Sequence, residues 1–127
     1  MIFDTDLIVW VLRGHPGAIR LVEGVPLAER RISAISYLEL LYGCRDKLQL
    51  QQLVEHVSIR YSEVLPVSET ITSSALQIME RFALSHRPEA TDVLIAATAL
   101  SRGEQVATAN VKHFGFIPGL VIKPFRP

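Results

Sequence analysis

The sequence predicts an α/β fold of three layers, a mainly parallel five-stranded sheet with helices on both faces. Three observations predict it. Short apolar runs alternate along the chain with longer stretches of helical periodicity, the pattern of strands joined by crossover helices. One of those stretches, Asp92-Val93-Leu94-Ile95-Ala96-Ala97-Thr98-Ala99-Leu100, is apolar on almost every face, so it belongs against a sheet rather than at a surface. Finally, 127 residues with 49% apolar and 20% charged content suit one globular domain spanning residues 1–127. A sheet of this kind, built from right-handed crossovers, carries its sites at the carboxyl ends of its strands.

The elements follow in order. Met1 to Asp4 is the first strand, and Leu7 to Leu12 is a short helix that ends at Arg13-Gly14. A second helix, Ala18 to Glu23, ends at Gly24, and Ile32 to Ile35 is the second strand. Tyr37 to Tyr42 is helical and stops at Gly43, and Val64 to Val67 is the third strand. Thr70 to Ser85 carries apolar residues at Ile71, Ala75, Ile78, Met79 and Phe82, an amphipathic helix for which Ser68 is a suitable N-cap. Gly103 closes the Asp92 helix, Gln105 to Thr108 returns as a strand, and Phe116-Ile117-Pro118-Gly119 turns the chain into a last strand, Val121 to Lys123. No repeat, low-complexity tract or linker interrupts the pattern.

Composition removes several classes of function. Thirteen Lys and Arg balance thirteen Asp and Glu, so bulk electrostatic binding of nucleic acid is not expected, and any nucleic-acid site must be local. Cys44 is the only cysteine and forms no internal disulfide, which fits a reducing compartment as well as any other, and the cytoplasm is the default location. The opening Met1-Ile2-Phe3-Asp4-Thr5-Asp6 puts two carboxylates where a signal peptide needs positive charge, and no apolar run approaches the ~20 residues of a membrane span. No Gly-rich loop follows the first strand, which removes dinucleotide and P-loop readings. The histidines His15, His56, His86 and His113 show no metal-ligand spacing and are assigned solvated or structural roles, Cys44 has no nearby base, and Trp10 is a core or interface residue.

Three acids are out of keeping with their surroundings. Asp4 ends the first strand, Glu39 lies within Tyr37-Leu38-Glu39-Leu40-Leu41-Tyr42, and Asp92 heads the apolar helix. Buried carboxylates are costly unless paired, and no Lys or Arg is close to any of the three in sequence. A shared divalent cation is the simplest partner, because converging carboxylates repel until a hard metal neutralises them. Each acid also has a local explanation. Ser36 to Glu39 fits a capping box, Asp92 complements a helix dipole, and Asp6 can N-cap the first helix. Asp4 has the weakest such explanation, and the local readings do not account for the acids occurring together.

Four segments resemble the PIN-domain ribonucleases, and among them the VapC-type toxins of type II toxin-antitoxin systems. They are Ile2-Phe3-Asp4-Thr5-Asp6-Leu7-Ile8, Ile35 to Gly43, Thr91 to Ala99, and Thr108-Ala109-Asn110-Val111-Lys112-His113-Phe114 followed by Ile117-Pro118-Gly119-Leu120, in the family's order and spacing over nearly the whole chain. The resemblance implies a sheet with the first strand central and the first and fourth strands flanking the crevice, which brings Asp4 and Asn110 together. It implies Asp4, Glu39 and Asp92 as ligands of Mg²⁺ or Mn²⁺, with Asn110 as a catalytic residue and Asp6 and Asn110 as further candidate ligands. The family often has an acid at the position of Asn110 and a small polar residue at that of Asp6, so Asp6 partly replaces a missing charge here. The implied reaction is hydrolysis of an RNA phosphodiester by a metal-activated water in in-line attack. Thr5 or Thr108 is expected to hydrogen-bond a phosphate or an acid, and Arg13, Arg45, Arg87 and Lys112 are candidates for a basic rim. The implied partners are RNA, a cognate antitoxin that covers the acidic site, and a second copy in a homodimer.

Two other readings compete. Phe3-Asp4-Thr5-Asp6 also looks like the Asp-x-Asp opening of haloacid-dehalogenase-like phosphatases, which need late paired acids, whereas only Glu104 follows Asp92. A receiver-type domain needs an Asp after the third strand, where this chain has Leu65-Pro66-Val67-Ser68. The non-enzyme alternative is a catalytically inactive PIN-like binding module, favoured by the absent fourth acid and by an apolar content that leaves uncovered surface for a partner.

Overall fold

Five strands, all parallel, form one sheet in a computed structural model that describes residues 1–127. They are β1 (Ile2–Phe3), β2 (Arg31–Ser33), β3 (Glu63–Leu65), β4 (Val106–Thr108) and β5 (Ile122–Pro124), in the order β3-β2-β1-β4-β5. The helices are α1 (Thr5–Leu12), α2 (Pro16–Glu23), α3 (Ala34–Tyr42), α4 (Lys47–Arg60), α5 (Glu69–Phe82) and α6 (Ala90–Arg102), with single 3-10 turns at Leu27–Glu29 and Val111–His113.

The alternation of side chains along the strands builds two cores from adjacent residues. Phe3 and Ala107 face one side, where they pack with Leu7, Ala18, Leu40 and Leu53 from α1 to α4. Their neighbours Ile2 and Val106 face the other side and pack with Ile95, Ala96 and Ala99 of α6. The small residues of α6 let it lie close to the sheet, while Val93 and Ala97 meet Ile71 and Ala75 of α5. Full burial of each large side chain, such as Phe3, Ile2 or Leu7, stabilises the fold by roughly 1.5–3 kcal/mol. α6 ends at Gly103 in the left-handed conformation, φ 64°, which an L residue adopts only with strain.

Helix starts differ from the expectation where the strands feed them directly. α3 begins at Ala34 with Ser33 as its N-cap, accepting from the Ile35 N–H at 3.2 Å, so Ser36 is inside the helix and the capping box with Glu39 does not form. α1 begins at Thr5 with Asp4, not Asp6, at the N-cap position, and the Asp4 side chain makes no cap bond. Ser68 does cap α5, accepting from the Ile71 N–H at 3.2 Å. α4 was not expected at all. Its Leu48, Leu50, Leu53, Val54, Val57 and Ile59 follow no single period, and only Leu53 and Val57, four residues apart, are buried.

The topology fixes where a site can lie. The chain steps outward from β1 to β2 and β3, then returns to the opposite flank of β1 as β4, so the switch in strand order falls between β1 and β4. The pairing Phe3↔Ala107 and the bond from the Asp4 N–H to the Ala107 carbonyl, 2.9 Å, set Asp4 beside Thr108 at the carboxyl edge of that switch.

Candidate active site

Each acid reaches the carboxyl edge by a different route. Asp4 continues β1, Asp6 lies in the first turn of α1, Glu39 is in the middle of α3, and Asp92 is in the first turn of α6. Asp4 is 3% exposed, and its one side-chain partner is the Thr108 hydroxyl, which donates to Oδ2 at 2.8 Å. The same hydroxyl accepts from the Asn110 N–H at 2.9 Å, so it is oriented from both sides. Thr5 does the equivalent for Glu39. Its Oγ1 is 2.9 Å from Glu39 Oε1 and 2.9 Å from Ser36 Oγ, and because a hydroxyl has one proton it donates to the carboxylate while Ser36 donates to it. Asp92 Oδ2 is 3.1 Å from His113 Nδ1, and Asp6 accepts from the Asn110 side-chain amide.

Asn110 therefore meets Asp6 rather than Asp4. Thr108 is the last residue of β4 and stays level with Asp4, whereas Asn110 is two residues further on, where the chain leaves the sheet for the 3-10 turn and reaches α1 instead. His113 is the residue that sequence reasoning missed at the site. Its place three residues after Asn110, past a strand's carboxyl end, was the available signal.

The electrostatics separate this cluster from the other acids. Burial pushes the Asp4 carboxyl from 3.8 up to about 7, with repulsion from Asp6 and Asp92 adding to the rise and the Thr108 hydrogen bond opposing it. Burial likewise takes Asp92 up to about 6; His113 opposes the rise, while Glu89, Asp6 and Glu39 add to it. No Lys or Arg forms an ion pair with Asp4, Asp6, Glu39 or Asp92. Glu104 at the opposite edge shows the contrast. Burial works against its ionisation too, but bonds from the Met1 ammonium, Arg102 and Arg31 at 2.7–2.8 Å hold it down at about 2. A carboxylate cluster left short of positive charge, in a cleft at the topological switch, is the electrostatic mark of a functional site.

The donors suit a hard divalent cation in kind and in charge. All are oxygens, and Asp4 and Asp92 are the groups whose ionised forms most need a counter-charge. The side chains are not arranged as a closed cage, since no three His, Cys, Asp or Glu residues converge on one point; Asp4, Glu39 and Asp6 are instead turned onto the Thr108, Thr5 and Asn110 donors, and Asp92 lies beside the His113 ring.

Two hollows flank the cluster. A groove of about 850 Å³ between α1, α3 and α4 begins at Thr5 and Glu39 and carries Arg13 and Arg45. A smaller hollow of about 190 Å³ begins at Asp92 and carries Arg87 and Lys112. None of these four cations is in an ion pair, whereas Arg31, Arg60 and Arg102 are all paired.

Comparison with known proteins agrees with this arrangement. The profile of the PIN domain matches residues 1–114. The chain is 34% identical over 122 residues to ribonuclease VapC19 of Mycobacterium tuberculosis, covering 94% of this chain and 95% of the relative. It is 30% identical over 123 residues to the tRNA(fMet)-specific endonuclease VapC of Salmonella typhimurium, covering 94% and 93%. Among solved structures, a toxin-antitoxin complex from Klebsiella pneumoniae superposes with a TM-score of 0.82 at 25% identity, covering 99% of this chain and 98% of that one.

Proposed function

This chain belongs to the PIN-domain family, and from that membership and its carboxylate cluster we propose that it is a divalent-metal-dependent endoribonuclease, the toxin of a toxin-antitoxin pair. The observation that carries the reading is the set Asp4, Asp6, Glu39 and Asp92, gathered at the β1/β4 switch without a Lys or Arg partner and flanked by grooves bearing unpaired cations.

Asp4, Glu39 and Asp92 are the residues that would hold Mg²⁺ or Mn²⁺, with Asp6 and Asn110 beside them. When bound, the ion supplies a nucleophilic water at neutral pH and charge stabilisation for the phosphate. The chain's own residues prepare that chemistry. Thr108 fixes the rotation of the Asp4 carboxyl and Thr5 that of Glu39, and Asp92 lies beside His113; the carboxylates do not converge on one point, so they would have to draw together from these positions around a bound ion. Asn110 adds no charge but holds Asp6, which returns a fourth carboxylate to the cluster and weakens the inactive-module reading. Arg13 and Arg45 on one side, and Arg87 and Lys112 on the other, meet the phosphates of a strand laid across the acids. The phosphatase reading loses its late acid, because Glu104 is at the far edge and fully engaged with cations.

The match to a toxin-antitoxin complex supports an antitoxin as partner, beside a second copy in a homodimer, and Tyr42 and Leu84, 93% and 91% exposed, are candidate contact residues. No helix is long and apolar enough to cross a membrane, and an RNA substrate supports the cytoplasmic location expected from the sequence. End-mapped cleavage of total RNA by purified protein tests the reading. Cuts that need Mg²⁺ or Mn²⁺ and disappear in Asp4→Asn are expected; no cutting by folded protein free of partners would overturn it in favour of the binding module.

A further inference from the structure

We infer that the small hollow beside Asp92 seats one unpaired nucleotide next to the scissile phosphate, with its base stacked on His86 and its phosphate held by Arg87 and Lys112. This inference rests on the ribonuclease reading above.

The turn from α5 to α6 builds the hollow. After Phe82 the chain places His86 and Arg87 at the rim, and Arg87 adopts the left-handed backbone conformation at φ 47°, where its N–H bonds back to the Phe82 carbonyl at 3.2 Å. A glycine would take this conformation without strain, so a guanidinium is carried here at a backbone cost. It makes no ion pair there. Glu89 and Asp92 line the same hollow as Arg87 and Lys112, yet neither cation bonds to them, which leaves both free for an anion.

An aromatic platform adjoins these cations. Phe116 is edge-on to Phe82 at 5.0 Å, and the His86 ring lies flat over Phe116 at 4.3 Å with an interplanar angle of 18°. Phe116 is half-buried and His86 exposed, so the stack ends in an imidazole whose outer face is open to solvent. An exposed ring on a rigid aromatic base, beside two free cations, is the combination that binds single-stranded nucleic acid through its bases and backbone together. At about 190 Å³ the hollow is smaller than a whole nucleotide, so it takes the phosphate and sugar of one residue while the base lies at its rim over His86, and it has no room for a duplex. Asp92 and His113, 3.1 Å apart, also line it, so the seated nucleotide is next to the acid cluster.

Binding of fluorescein-labelled oligoadenylate to the cleavage-deficient Asp4→Asn protein, followed by fluorescence anisotropy with calcium across a salt series, tests the inference. In that background His86→Ala is expected to weaken binding roughly 5- to 100-fold with no change in salt dependence, and His86→Phe to restore it. Arg87→Asn, which tolerates the left-handed backbone, and Lys112→Gln are each expected to lower the slope of log affinity against log salt by about 0.7. Unchanged thermal unfolding of these surface variants shows that the losses are not losses of folding. Variants that bind as tightly and with the same slope as the parent, or a His86→Phe protein that stays weak, would overturn the nucleotide seat. If the wild type still cuts RNA with Mg²⁺ in that case, the nuclease reading stands alone. If the wild type does not cut and the parent does not bind oligoadenylate, both fall.

Discussion

Removing the charge of Asp4 should make the metal-free protein more stable, not less. The carboxyl is 3% exposed and takes up its proton at about 7 rather than 3.8. The native state therefore binds this proton more tightly than the unfolded chain does, and stability falls as pH rises between those two values. Below about pH 4 the carboxyl is protonated in both states and costs nothing; above about pH 7 the full cost is present. Each tenfold change in proton affinity is worth about 1.4 kcal/mol, so the cost reaches on the order of 4 kcal/mol, an upper bound that relaxation of the ionised site reduces towards about 2. Asn has the shape of the neutral acid and its Oδ1 can still accept from Thr108, so Asp4→Asn removes the cost and keeps the hydrogen bond. The assay is urea unfolding of both proteins in EDTA at pH 4, 6 and 8. We expect near-equal stabilities at pH 4 and an advantage of ~2–4 kcal/mol for the variant at pH 8, with Mg²⁺ then raising the wild type more than the variant. A difference that does not change with pH, or a wild type that gains over the variant as pH rises, would refute the reasoning.

Other outcomes follow from the same geometry. Glu39→Gln and Asp92→Asn should each lower RNA cleavage by at least ~100-fold while the far-ultraviolet circular dichroism stays native, since Glu39 serves no cap and the half-buried Asp92 lines the hollow without a Lys or Arg partner. Thr108→Val should reduce cleavage roughly 10- to 100-fold by freeing the Asp4 carboxyl to rotate, measured at saturating metal so that affinity and turnover are separated. Glu104→Gln should leave cleavage intact and cost about 1–2 kcal/mol at neutral pH, after allowance for solvent around Arg102. That stabilisation is present above the ordinary Glu range and is lost as pH falls towards about 2, which acid unfolding of the two proteins would show.

The sheet was legible because its strands are short, apolar and separated by helices with clear stops at Gly14, Gly24, Gly43 and Gly103. The apolar surface of α6 predicted its burial between sheet and α5 for the same reason. α4 was not legible, since most of its apolar residues are exposed and its buried pair is only Leu53 and Val57. Ser36 illustrates a local motif overridden by tertiary structure. A capping box needs the helix to begin at the Ser, but β2 runs straight into α3 and Ser33 takes the cap, which releases Glu39 to face Thr5. The gathering of Asp4, Asp6, Glu39 and Asp92 depended on strand order, which local patterns do not encode and the family resemblance supplied. The pairings of Asn110 with Asp6 and of His113 with Asp92 depend on the exit path from β4, which no pattern in the sequence specifies.

The measurement that bears most directly on the carboxylate centre is a calorimetric titration of Mn²⁺ into the wild type, Asp4→Asn, Asp92→Asn and Glu104→Gln proteins at neutral pH. Binding to the wild type and Glu104→Gln alike, weakened at least ~10-fold in Asp4→Asn and Asp92→Asn, is the predicted result. Equal binding by all four proteins, or none by the wild type, would contradict a metal centre at the β1/β4 switch.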